Sequence, residues 1–114
     1  MSLIHEAPVF QLTYDVLKEV HLTRRSFSKT EKYTLGETIE RAGLDALCFI
    51  IEAGQLKREW KIPAIDRALL SLEKTKVGLR LAYELQEFNE RRYLTLQEML
   101  NKAGRMLGGW RKSL

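Results

Sequence analysis

Two histidines, one cysteine and a spaced set of glutamates are the residues of this 114-residue chain with the means to do chemistry. A di-iron centre in a helical bundle needs inward glutamates and a Glu-x-x-His pair on each of two helices. Three residues before His21 stands Lys18, and three before His5 stands Ser2, so neither histidine has its glutamate. Glu84, Glu87 and Glu90 have helical spacing but read as a solvated face near a helix end. Cys48 and His21 are the remaining nucleophile and base. Leu47, Phe49, Ile50 and Ile51 around Cys48 predict a buried, unreactive thiol, and nothing polar is placed to orient His21. No glycine loop precedes a Lys-Ser/Thr pair after a strand, which removes nucleotide hydrolysis. The expectation is a protein with no enzymatic activity, no metal and no cofactor.

Charge is the more informative chemistry. Nineteen Lys and Arg against fifteen Asp and Glu give a formal +4 and a pI near 9.3, a balance that favours polyanionic partners. The cations fall into two groups. Arg58, Lys61, Arg105, Arg111 and Lys112, expected to lead binding with Arg24, Arg25, Lys29 and Lys32 next, stand with Lys57 near helix ends that an antiparallel arrangement brings to one pole, opposed mainly by Glu59 and Glu6. Arg24, Arg25, Lys29 and Lys32, with Arg91 and Arg92, gather at the other pole among Glu31, Glu84, Glu87 and Glu90. Trp60 between Arg58 and Lys61 is placed to stack on bases, whereas Trp110 sits at a core position.

Four helices must position these groups. Val9, Phe10, Tyr14, Leu17 and Val20 recur at helical spacing after Pro8 and predict a first helix over about 8–24. Ser28 or Thr30 caps a second over about 31–57, with Ser28 and Glu31 at capping-box spacing. Its apolar row is Leu35, Ile39, Ala42, Ala46, Cys48, Phe49, Ile50 and Ala53. A third helix opens at Pro63 and covers about 62–86, and Asn89 caps a fourth over about 90–112. No run alternates with period two beside hairpin turns. The prediction is an all-α, up-down-up-down four-helix bundle, a single domain over 1–114.

Two features exceed what one bundle needs. Leu70, Val77 and Leu81 on the third helix, and Leu94, Met99 and Met106 on the fourth, form second apolar rows, which predict self-association. Gly36, Gly43, Gly54, Gly78, Gly104 and Gly108 fall inside predicted helices, each at a cost of about 1 kcal/mol relative to alanine, and so predict close helix packing. A lone cysteine points to the cytoplasm, and no run reaches the ~18 apolar residues of a membrane span. The opening MSLIHEAPVF lacks the plan of a secretory signal, so neither insertion nor export is expected.

Particular strings then add a family. Ser28-Lys29-Thr30-Glu31-Lys32-Tyr33-Thr34-Leu35-Gly36 resembles the start of the second helix in the four-helix bundle family that includes proteins encoded in 23S ribosomal RNA intervening sequences. Gly104-Arg105-Met106-Leu107-Gly108-Gly109-Trp110-Arg111-Lys112-Ser113-Leu114 resembles the carboxyl end of its Avd branch, the accessory variability determinant proteins of diversity-generating retroelements. Leu79-Arg80-Leu81-Ala82 is similar to family members as well. The resemblance spans positions 28 to 114, and the first helix matches in pattern alone. It implies a basic, non-enzymatic protein that forms a barrel-like homopentamer and associates with a reverse transcriptase and with RNA or DNA. The polymerase then copies template RNA into mutagenised cDNA that replaces a variable region, the step called mutagenic retrohoming. The alternatives are an intervening-sequence-type bundle protein, or a structural oligomeric adaptor, without a retroelement role.

Overall fold

The computed structural model of the chain describes residues 4–114. Met1–Leu3, including the Ser2 that stands before His5, lie outside the described residues. A 3-10 turn, Ile4–Glu6, precedes α1 (Pro8–Arg24), the one-turn α2 (Lys29–Lys32), α3 (Leu35–Gln55), α4 (Arg58–Glu84) and α5 (Glu90–Lys112), with no strand among the described residues. α1 and α4 each pack against both α3 and α5, so the four long helices form a bundle with α3 and α5 on one diagonal. The bundle is a rod of 43 × 22 × 21 Å.

α1 begins at a proline because its first position has no amide bond to lose. Val9, Thr13, Val16, Val20 and Thr23 are its buried residues, at intervals of three and four. The Thr13 hydroxyl is buried and finds no hydrogen-bond partner among the described residues. An unsatisfied buried hydroxyl is destabilising, and valine has the same shape without it. Thr13→Val is therefore expected to stabilise the chain by about 1 kcal/mol, raising Tm by roughly 4 °C in a thermal melt.

Where one long second helix over 31–57 is expected, the chain makes two. In a continuous helix the Lys32 carbonyl would accept from the Gly36 amide. Instead Arg24 Nε donates to it at 2.7 Å, and Thr34 leaves helical geometry at φ −117°, ψ −89°. α3 then restarts at Leu35 and stops at Gln55, with Leu56 and Lys57 extended. The Ser28 cap forms in part: its hydroxyl accepts from the Glu31 amide at 3.4 Å, but the carboxylate on the Ser28 amide is that of Glu87, at 2.6 Å, and not Glu31.

The third helix starts earlier than Pro63 suggests. Lys57 is its N-cap, and Arg58, Trp60 and Lys61 are helical. Pro63 lies in the second turn on the exposed side, where the carbonyl it leaves unbonded can meet water. α4 ends at Glu84 in a Schellman motif: the Glu87 amide bonds to the Ala82 carbonyl and the Gln86 amide to that of Tyr83. Gln86 fills the left-handed position at φ 65°, where glycine is the usual residue. Asn89 caps α5, its Oδ1 accepting from the Arg92 amide at 2.8 Å.

The core joins Val16, Val20, Ile39, Ile50, Ile65, Leu79, Leu96, Leu100 and Leu107. Alanines and glycines bring α3 against its neighbours: a Cβ on Gly78 would stand 2.6 Å from Ile39 Cγ1, and one on Gly54 2.6 Å from Ile4 Cβ. Gly36 makes room for the Arg24 stem and Gly43 for Leu17. Close packing does not explain Gly104 and Gly108, since nothing among the described residues comes within 4 Å of where their Cβ atoms would be.

The second apolar rows divide. Met99 and Met106 pack against the core, leaving Leu94 exposed on α5. On α4, Leu70, Val77 and Leu81 are 57%, 58% and 47% exposed, and Trp60 is 61% exposed. Positions 60, 63, 67, 70, 74, 77 and 81 alternate intervals of three and four, the spacing of a coiled-coil seam on the outside of the bundle. Cys48 is exposed rather than buried. It lies one residue, about 100° of helical turn, beyond the buried Leu47.

Candidate nucleic-acid interface

The end of α3, the start of α4 and the end of α5 meet at one pole, and cations hold them there. Lys61 Nζ donates to the Ala53 carbonyl at 2.7 Å and stands 5.9 Å over the Trp110 ring. Arg58 Nη2 donates to the carbonyls of Ser113 and Leu114, each at 3.2 Å. Positive groups at the last carbonyls of a helix satisfy orphan acceptors and offset the helix dipole. Arg111 makes a fork with Asp66, Nε to Oδ1 at 2.8 Å and Nη2 to Oδ2 at 3.3 Å. That hydrogen bond holds the Asp66 carboxyl below its ordinary range.

Three of the five cations expected to lead binding at this pole are thus occupied inside the chain. Arg105 and Lys112 are exposed and have no ion-pair partner among the described residues. Arg105 lies seven residues before Lys112, about 10 Å down α5. Trp60, between Arg58 and Lys61 in sequence, is exposed, while Trp110 leans on the core as expected.

At the other pole Arg24 is structural. It is half-buried, bonded to the Lys32 carbonyl, with Nη1 3.4 Å from Glu40 Oε1. His21 Nδ1 lies 2.9 Å from the same carboxylate oxygen, so this histidine does have a polar group orienting it, contrary to the sequence reading. Among the described residues Arg25 and Lys29, both exposed, and the ammonium of the partly buried Lys32 have no ion-pair partner. Arg92 pairs with Glu19 across the α1–α5 seam.

The chemistry of the remaining groups is that of a charged surface. Among the described residues no three His, Cys, Asp or Glu side chains come together to hold a metal ion. No helix among them is long and apolar enough to cross a membrane. Sequence reasoning left Lys102 out and gave Arg91 no binding role, yet both are exposed on α5 with no ion-pair partner among the described residues. Spacing along α5 could have found them, because at 100° per residue both fall within about 80° of Arg105 and Lys112 on one face.

A comparison with curated proteins finds no match. The bAvd-like family model matches residues 9–114, a span that takes in all four long helices, and the chain belongs to that family.

Proposed function

We propose that the chain is a non-enzymatic accessory protein of a diversity-generating retroelement. In this reading it works in the cytoplasm as a barrel-like homopentamer, binding the element's reverse transcriptase and its template RNA or cDNA through basic surfaces. The observation that carries the reading is a bAvd-like bundle with exposed cations, Arg25, Lys29, Arg105 and Lys112 among them, that have no ion-pair partner among the described residues. The exposed apolar seam on α4 supports assembly, since such a row is costly to leave in water. Repeating each bundle around a ring repeats its cations in one field, which turns a formal +4 per chain into a strong attractor for phosphates. The chemistry of strand synthesis belongs to the polymerase, and this protein supplies a platform.

Co-expression with the reverse transcriptase encoded beside it tests the reading. A tagged chain is expected to retain the polymerase through washing at low salt, and to bind labelled template RNA with an affinity that falls steeply as salt rises. Neither polymerase nor RNA held at low salt would overturn it.

A further inference from the structure

The charge of the chain is divided across the width of the bundle, not only between its poles. α5 carries six Lys and Arg against Glu90 and Glu98, a net of +4 that equals that of the whole chain. α3, across the diagonal, carries Arg41 against Glu37, Glu40, Asp45 and Glu52, a net of −3. Of the α5 cations, Arg92 and Arg111 are paired with Glu19 and Asp66. Arg91, Lys102, Arg105 and Lys112 are exposed with no ion-pair partner among the described residues. At 100° per residue these four fall in one sector about 80° wide, over roughly 31 Å of helix. One acid, Glu98, shares the sector.

Two further properties of this edge narrow what it fits. Gly109 lies in the same sector and Gly108 beside it, with nothing within 4 Å of where their Cβ atoms would be. Each costs about 1 kcal/mol in a helix, and no packing inside the chain offsets it. A rigid backbone can therefore come closer to α5 here than over any side chain. Nor does an aromatic ring stand in the sector: Tyr93 is stacked on Tyr83 at 4.4 Å between centroids, and Trp110 faces Lys61 and the core.

We infer that this edge of α5 is a docking track for the phosphate backbone of a double-stranded nucleic acid. The inference rests on the nucleic-acid reading above and adds the surface and the strand state. Proteins that hold single strands rely on rings for the bases to stack on, and this edge offers none. A duplex instead presents fixed phosphates at about one charge per 1.7 Å of axis. The 31 Å row is close to one duplex turn of about 34 Å, and a row of cations on a straight helix is already ordered before contact.

The test uses the full-length protein in its assembled form, with a labelled 20-base-pair RNA duplex, the matching DNA duplex and one separated strand of each, at 50 and 200 mM salt. With four phosphate contacts per engaged chain, wild-type affinity for either duplex is expected to fall about 150-fold between those salts. For the triple variant Lys102→Ala, Arg105→Ala, Lys112→Ala the expected fall is about 4-fold. A far-UV melt of that variant confirms its fold, and Arg41→Ala on α3, across the diagonal, is expected to keep the wild-type salt dependence. A triple variant with unaltered duplex affinity and salt dependence overturns the inference while leaving nucleic-acid binding intact. So does tighter binding of the separated strands. If the wild type holds none of the four probes at 50 mM salt, the nucleic-acid reading itself fails and this one with it.

Discussion

Leu107→Ala is expected to cost the chain about 3 kcal/mol of stability, seen as a fall of roughly 10 °C in Tm and an equivalent shift of the urea midpoint. Leu107 is fully buried on α5, in the row Leu96, Leu100, Ala103 and Leu107. Its neighbour in that row is already an alanine, so a second truncation one turn away widens the space left in the core. Domains of this size are stable by only about 5–15 kcal/mol, which makes one such cavity a large share of the total. Leu94→Ala on the exposed side of the same helix is the control, and a shift within about 0.5 kcal/mol is expected there. Equal melting of the two variants would mean that α5 does not seal the core as its burial indicates.

Leu70→Glu with Val77→Glu has its large effect elsewhere. Both side chains are more than half exposed, so a single folded chain should barely register the change. An assembly built through α4 would instead bury two carboxylates among apolar side chains, with one cation unpaired among the described residues, Lys74, within reach of both. Desolvating an unpaired carboxylate costs several kcal/mol, which outweighs what one subunit contact supplies. Sedimentation of the double variant is expected to give the mass of one chain at concentrations where the wild type sediments as an oligomer, with an unchanged far-UV spectrum. A variant that keeps the oligomeric mass would move the interface off α4. The neighbouring Arg67, held by Glu52 at 2.9 Å and lying 5.5 Å over the Phe49 ring, is already occupied within the chain.

The bundle was legible in the sequence where the cause was local. Pro8 opens α1 through its fixed φ and missing amide hydrogen, Asn89 opens α5 through a bond from an amide three residues on, and the period of three and four along α5 marks its core. The break between α2 and α3 was not legible, because its cause is a guanidinium from α1 that takes the Lys32 carbonyl. Pro63 misleads for the opposite reason: proline is a local signal of a helix start, but Lys57 can cap one turn earlier and the exposed face tolerates the ring. Cys48 sits in an unbroken apolar run, and a run without polar interruptions hides which of its members faces outward. The binding residues were the least legible. Clustering in sequence put Arg58, Lys61 and Arg111 first, yet each finds its partner across the fold, and the Arg111–Asp66 pair joins residues 45 positions apart. What a cation can offer a ligand depends on which acceptors the fold has already given it, and those are long-range facts.

The split of sign between α3 and α5 has a kinetic consequence. A body with a negative long edge and a positive one opposite it feels a torque in an electric field, so a bundle drifting toward a polyelectrolyte rotates before it touches. Encounters then begin already oriented, with fewer collisions wasted on the repelled side, and arrival rates should decline as ions damp the field.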